Sequence, residues 1–134
     1  MDAIEISRTG LDVEWQRLQV IARNLANMNT SGTDGYRPMR LVSGPRGGFA
    51  AKLQARRDGV KVLALEPLAA GVRRVHEPGH PQADAEGFVT YPDLDHAAEM
   101  TLLIRASRAY EANLTVLSFA QQMYARAAEL GRQA

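Results

Sequence analysis

The chain of 134 residues is long enough for one domain or for a small core with appendages. Its apolar content of 46% is that of a globular protein, and its formal net charge of +1 excludes a polycation or an acidic disordered chain. It contains no Cys, which excludes disulfides, thiolate metal ligands and cysteine nucleophiles. No apolar run approaches the roughly 18 residues of a transmembrane helix, and the beginning of the sequence lacks the pattern of a secretory signal peptide. We therefore expect a chain that does not span a membrane.

Residues 1–30 are predicted to form an N-terminal helix, with helical periodicity over 3–28. Its apolar residues follow the 4-3 spacing of a coiled-coil seam: Ile4, Leu11, Leu18 and Leu25, with Trp15 and Ala22 between them. Asp2 and Glu5 resemble a capping box. Gly10 interrupts the pattern at a cost of about 1 kcal/mol relative to Ala, so the first ten residues are predicted to be the weakest part of this helix.

Residues 31–92 are predicted to be loop with a small β insert, because this region holds all six Pro and most of the Gly. Three short segments, 59–65, 71–75 and 87–91, read as strands of a small antiparallel element. Within the first of them, Val60, Val62 and Ala64 alternate on one side. Residues 31–58 are predicted to be loop.

Residues 93–134 are predicted to form a C-terminal helix, capped by Asp93 or Asp95 after Pro92. One seam runs through Met100, Leu103, Ser107, Tyr110, Leu114, Leu117, Gln121, Tyr124 and Ala128. A second, Ala-rich seam lies beside it, through Leu102, Ala106, Ala109, Asn113, Val116, Ala120, Met123, Ala127 and Leu130. Two adjoining seams make a broad apolar face that requires more than one neighbouring helix.

The length of this helix points to an assembly. Residues 96–130 would span about 52 Å at ~1.5 Å per residue, whereas a compact chain of this length is only about 36 Å across. The sequence therefore predicts a mainly α fold with a small β insert, in which the N- and C-terminal helices pack as a coiled coil and other molecules cover the remaining apolar face.

Two stretches offer alternative functions. His76, Glu77, His80, Asp84 and Glu86 lie within 11 residues, but Pro78, Gly79 and Pro81 forbid the helix that two metal-binding His four apart require. A polar turn between strands is the simpler interpretation, and no metal or other cofactor is predicted.

A basic stretch also suggests a binding function: Arg37, Arg40, Arg46, Lys52, Arg56 and Arg57 come without an intervening acid. Phe49 is the one aromatic among them, so a platform for stacking bases is disfavoured. The alternative function is a small soluble binding module whose basic loop docks nucleic acid or an acidic partner; salt-sensitive nucleic-acid binding would indicate it.

A metal-dependent hydrolase is a third alternative. Bound metal that is lost on mutation of His76 and His80 would indicate it. No nucleophile elbow, phosphate loop or dinucleotide fingerprint occurs, and neither enzymatic activity nor a small-molecule substrate is predicted.

Two separated motifs resemble those of a known family. "RLQVIARNLANMNTSGTDGYR" (17–37) and "MTLLIRASRAYEANLTVL" (100–117) are similar to the N- and C-terminal motifs of the flagellar rod, hook and hook-filament axial proteins. "VHEPGHPQADAEGFVTYPDLD" (75–95) resembles a loop of one proximal-rod subunit of that family.

The resemblance implies a structural role without catalysis. It implies that the terminal helices pack as a coiled coil, and that copies of the chain stack helically with other rod subunits. Together they would form the drive shaft that carries motor torque across the periplasm. It also implies export through the flagellar type III apparatus without a cleaved signal, and no nucleic-acid partner.

The amide cluster at the end of the first helix has two interpretations. Asn24, Asn27 and Asn113 could set the register between packed chains, as buried polar residues do in coiled coils. Alternatively, Asn24 and Asn27 are plain C-terminal caps. The predicted assembly interface contains Leu11, Trp15, Leu18, Ala22, Asn24, Leu25, Asn27, Met100, Leu103, Tyr110, Asn113, Leu114, Leu117 and Tyr124.

Overall fold

The computed structural model describes residues 3–32, 36–48 and 58–133. It has two long terminal helices, with a small β region between them in the sequence. The elements in chain order are helix α1 (Ala3–Asn27), strands β1 (Met39–Pro45), β2 (Val60–Pro67), β3 (Val72–His76) and β4 (Phe88–Pro92), and helix α2 (His96–Gln133). The predicted mainly α fold with a short antiparallel β insert is confirmed. Asp2 of the predicted capping box and Lys52, Arg56 and Arg57 of the basic stretch lie outside the described residues.

The two helices pack side by side in opposite directions. The end of α1 meets the beginning of α2, where Asn24 contacts Glu99. The beginning of α1 meets the middle of α2, where Gly10 faces Asn113. Since α2 has 38 residues and α1 has 25, α2 is about 20 Å longer at ~1.5 Å per residue, and its last turns extend beyond α1.

The start of α2 is fixed by Asp95. Its carboxylate accepts a hydrogen bond from the Ala98 N–H at 3.1 Å, which is the geometry of an N-cap. Of the two predicted capping residues, Asp95 is therefore the one that caps.

In the ranges that the structure describes, neither helix contains an apolar stretch that could cross a membrane.

The β region consists of two separate antiparallel hairpins rather than one three-stranded element. β1 pairs with β2, with a bulge after Val42, and β3 pairs with β4. The prediction of loop over 31–58 was wrong where β1 lies, at Met39–Pro45. Its sequence, "MRLVSGP", has little alternation of its own. Contact with β2 and α1 makes it a strand, which illustrates how strongly tertiary context determines β structure.

The β1–β2 hairpin packs on one side of α1. Leu41 lies between Val13 and Val20 in a buried apolar cluster, with Met39 and Val62 packed against it. The Arg17 guanidinium reinforces this contact, because it donates to the Leu41 carbonyl at 3.1 Å and to the Ser43 hydroxyl at 2.7 Å. The hairpin is therefore attached to α1 by both apolar and polar contacts.

The buried face of α1 differs from the predicted seam. Its buried residues are Ser7, Gly10, Val13, Val20, Ile21 and Asn24. The predicted seam residues Ile4, Leu11, Leu18 and Leu25 are half-buried, and Trp15 and Ala22 are exposed. The difference arises because the β1–β2 hairpin and α2 both pack against a side of α1 that includes small and polar residues. A search for regularly spaced apolar residues does not detect such a side.

Candidate assembly interface

A buried amide joins three segments of the chain at the end of α1. The Asn24 side chain is 0% exposed and makes four hydrogen bonds. Its Oδ1 accepts from the Tyr36 hydroxyl at 2.7 Å and from the Met39 N–H at 3.1 Å. Its Nδ2 donates to the Met39 carbonyl at 2.9 Å and to Glu99 Oε2 at 3.2 Å. Both lone pairs and both N–H groups are thus satisfied within the chain.

Glu99 completes this cluster from α2. The Arg40 guanidinium donates to both of its carboxylate oxygens, a bidentate geometry. The Glu99 side chain is 3% exposed, whereas that of Arg40 is 31% exposed. Burial raises the pKa of the neighbouring Tyr36 hydroxyl, the cation of Arg23 lowers it, and the Glu99 carboxylate raises it. The cluster therefore holds a buried carboxylate against one guanidinium and one amide.

The second close contact between the helices depends on a glycine. A Cβ added to Gly10 would lie 2.8 Å from Asn113 Oδ1 and 3.0 Å from Asn113 Nδ2. The Asn113 amide donates back to the Ala109 carbonyl at 3.0 Å. Gly10 is thus buried against a polar side chain of α2, so the residue predicted to weaken the helix is one at which the two helices approach closely.

The asparagines named from the sequence therefore have different roles. Asn27 acts as the capping interpretation predicts, because its side chain donates to the Arg23 carbonyl at 2.8 Å and accepts from Thr30. Asn24 is not a C-terminal cap, and its polar atoms are fully used inside the subunit. Asn113 is half-buried and contacts α1 of its own chain.

One flank of the helix pair carries apolar residues that no other part of the described chain covers. The Trp15 and Tyr110 rings lie 6.2 Å apart, and with Leu11 they line an open groove. Trp15 is 53% exposed. Of the other predicted interface residues, Met100, Leu114 and Tyr124 are exposed, and Leu103 and Leu117 are half-buried. We call Leu11, Trp15, Tyr110 and Leu114 the open flank.

A second surface, also left uncovered by the residues that the structure describes, lies toward the end of α2. We call Val116, Phe119, Met123 and Leu130 the distal stripe; Phe119 is 61% exposed and Met123 71%. Their spacing of three, four and seven residues places them on one side of the helix. The predicted interface omitted all four. Val116, Met123 and Leu130 belong to the second predicted seam, which was expected to need a further neighbour, whereas Phe119 was on neither seam.

The loop between β3 and β4 is held by its own hydrogen bonds. Asp84 accepts from the Phe88 N–H at 2.8 Å and the Glu86 N–H at 3.0 Å, and pairs with Arg74. Within the described ranges, no three His, Asp or Glu side chains are grouped as metal ligands. The interpretation of this stretch as a polar turn agrees with the structure.

We expect acid to loosen this loop. The pKa of Asp84 is lowered, first by the hydrogen bond from the Phe88 N–H and then by Arg74 and the Glu86 N–H. The ionised Asp84 carboxylate stabilises the folded loop because its pKa is lower in the folded state. This stabilisation is present above the usual pKa of about 3.9 and is lost as the pH falls through the lower folded value. Amide hydrogen exchange of Phe88, corrected for intrinsic rates, should show reduced protection at those pH values. Asp84→Asn should reduce its protection already at neutral pH, and unchanged protection there would contradict the expectation.

Comparisons with known proteins agree with the motifs in the sequence. The family described as "Flagella basal body rod protein" matches residues 4–32, and the one described as "Flagellar basal body rod FlgEFG protein C-terminal" matches residues 85–130. These matches cover most of α1 and α2, the elements that carry both uncovered surfaces.

Curated relatives match over nearly the whole chain. The flagellar basal-body rod protein FlgC of Salmonella typhimurium (strain LT2) is 37% identical over 135 positions, covering 98% of each chain. That of Escherichia coli O6:H1 is 36% identical with the same coverage. That of Borreliella burgdorferi is 34% identical, covering 91% of each chain.

Proposed function

Because the chain belongs to the FlgC family of flagellar basal-body rod proteins, we propose that copies of it stack through their terminal helices to build the proximal rod. The chain is a structural subunit of the basal body rather than an enzyme, and it associates with other rod components. The alternative of a nucleic-acid-binding module has no support in these relatives. Moreover, Arg40 of the basic stretch is engaged with Glu99.

The observation that carries the proposal is the pair of uncovered surfaces on the helix pair. The open flank and the distal stripe are different surfaces of one subunit. A contact between two different surfaces of identical chains is heterologous, and heterologous contacts that do not close into a ring extend into helical assemblies. Each large apolar side chain covered by a neighbour contributes about 1.5–3 kcal/mol. The two exposed apolar surfaces therefore support stacking of neighbouring subunits through burial of apolar area.

Localisation and export follow from the same proposal. A rod built this way would carry motor torque across the periplasm, and the chain would reach it through the flagellar type III apparatus without a cleaved signal. The small buried core supports this route: it contains seven buried apolar residues among those described, and a small core gives a low free energy of unfolding, which favours passage through a narrow channel. The residues of the predicted interface other than Asn24 remain part of the proposed contact surface.

Electron microscopy of basal bodies from a strain lacking this chain tests the proposal. We expect inner rings without a rod, and no hook or filament. Expression of the native chain in that strain should restore all three, which controls for effects on neighbouring genes. Complete flagella in the deleted strain would overturn the proposal.

A further inference from the structure

Contacts between the helices occur at matched intervals. Two places mark the register of α1 against α2: Asn24 beside Glu99 and Gly10 beside Asn113. Fourteen residues separate these two places on each helix, which is two of the seven-residue repeats of a coiled coil. Further along, Ala3 lines one groove with Ala120, Met123, Tyr124 and Ala127. The two marked layers thus lie two heptads apart, and both are polar or contain glycine.

Apolar packing by itself does not select this register. A slip of α2 by one heptad would place Ala106 beside Asn24 and Ala120 beside Gly10. Both new neighbours are alanine, so neither clashes. The slip keeps α1 paired along its whole length, because α2 has 38 residues and α1 has 25. It exchanges contacts of the first turns of α2, such as Met100 and Leu103, for contacts of the residues around Tyr124 and Ala127, so burial of apolar area does not by itself exclude it.

The polar contacts oppose this slip. With Ala106 in place of Glu99, the buried Nδ2 of Asn24 loses an acceptor and Arg40 loses its bidentate partner. A buried polar group left without a partner is costly to the fold. With Ala120 in place of Asn113, the space above Gly10 is left unfilled, and an unfilled space in a packed interface is also destabilising. Both layers therefore disfavour the slipped register for independent reasons.

The connection to the second hairpin also bears on the slip. α2 follows β4 after three residues, so a slip requires the β3–β4 hairpin to move or the first turns of α2 to unwind. Among the described residues the backbones of β3 and β4 lie apart from both helices, although Val89 of β4 is 0% exposed. The hairpin is tied to the segment after α1 by hydrogen bonds such as those from Arg73 to Asn29 and from the Gly32 N–H to Thr90.

We propose that Glu99 and Asn113 are register keys that hold the last turns of α2 beyond α1. Glu99 fits the donors of Arg40 and Asn24, and Asn113 fits the notch at Gly10. The keys prevent α2 from slipping by a heptad along α1, so the turns of α2 that follow Met123 stay beyond α1 and available to a neighbour. The use of that free end rests on the assembly proposed above, whereas the register is a property of the single chain.

Cross-linking of engineered cysteine pairs tests the register, since the chain has no Cys of its own. Trp15→Cys with Tyr110→Cys reports the observed register, in which these rings are neighbours. Trp15→Cys with Leu117→Cys reports the slipped register, because Leu117 lies one heptad further on. The purified chain is treated at low concentration with a short bis-maleimide, and the product that migrates as a monomer is quantified.

We expect the first pair to give at least tenfold more product than the second in the native background. Adding Glu99→Ala and Asn113→Ala should raise the yield of the second pair at least fivefold. Glu111→Ala with Gln121→Ala removes one carboxylate and one amide from exposed positions of α2, and it should leave the ratio unchanged. Circular dichroism checks that helix content is retained.

If loss of both Glu99 and Asn113 unfolds the two helices, a variant that moves the carboxylate to a new position still tests the register. Glu99→Ala with Ala106→Glu moves the carboxylate by one heptad and should make the second pair the preferred product. An unchanged ratio in both sets of variants, or no product from either pair in the native background, would overturn the proposal. These results concern the purified chain alone, so they are distinct from the outcome of the deletion experiment on basal bodies.

Discussion

Arg40→Met is expected to lower the free energy of unfolding by about 3–5 kcal/mol, the usual cost of leaving one member of a buried ion pair without its partner. Glu99 is 3% exposed and cannot turn to water. Its remaining contact is the Asn24 amide at 3.2 Å. Glu99→Met should cost less, about 1–2 kcal/mol, because the partly exposed Arg40 can be hydrated and the Asn24 amide keeps its bond to the Met39 carbonyl.

Because the two single variants differ in cost, one substitution is expected to compensate for the other. Glu99→Met should rescue Arg40→Met, so the double variant should be more stable than Arg40→Met alone, because no buried charge remains. Urea unfolding followed by circular dichroism measures all three variants, with Arg8→Met, an exposed site on α1, as a control expected to stay within about 0.5 kcal/mol of the native chain. Equal costs for the two single variants, or additive costs in the double variant, would show that the Glu99 carboxylate is not buried against Arg40.

Phe119→Asp is expected to abolish rod formation while leaving the subunit folded. Phe119 is 61% exposed in the single chain, so a charge there costs the isolated subunit little. In an assembly that covers the distal stripe, the change removes about 1.5–3 kcal/mol per contact and adds the desolvation of a carboxylate. That loss lowers the affinity between subunits at least about tenfold, and the effect repeats at every subunit.

Ser118→Asp is the matched control, since it adds the same charge one residue away on another face of α2. Motility in soft agar and electron microscopy of basal bodies compare the two variants in the strain lacking the native chain. Cells with Phe119→Asp should be non-motile, and cells with Ser118→Asp should swim. If the Phe119→Asp cells assemble normal rods, the distal stripe is not a contact surface.

The sequence predicted the positions of the helices better than it predicted which of their sides are buried. Both terminal helices were recognisable from the spacing of their apolar residues, and Asp95 was one of two candidate caps for the second. Strand β1 was not, because its structure depends on Leu41 fitting against α1. The inward face of α1 was also missed, since its contacts with α2 use Gly10 and Asn24 rather than large apolar residues.

The candidate site was only partly predictable for a related reason. Glu99 lies in the first turn of α2, where an acidic residue is ordinarily exposed and interacts with the helix dipole. Its burial becomes visible only when α1 and β1 bring Asn24 and Arg40 to the same place. Phe119 and Met123 present the opposite difficulty, because residues with helical spacing ordinarily pack inside the subunit. A single chain does not indicate which of its apolar faces is reserved for a neighbour.

The β3–β4 hairpin is held together by its own contacts: the Arg74 side chain over Phe88, the Arg73 side chain over Tyr91, and the bonds of Asp84. Among the described residues its backbone lies apart from both helices, although Val89 of β4 is 0% exposed. One buried valine and a few hydrogen bonds make a smaller contact than the helix pair has. In the proposed rod, we therefore expect the hairpin rather than the helix pair to adjust when identical subunits meet their neighbours at unequal angles.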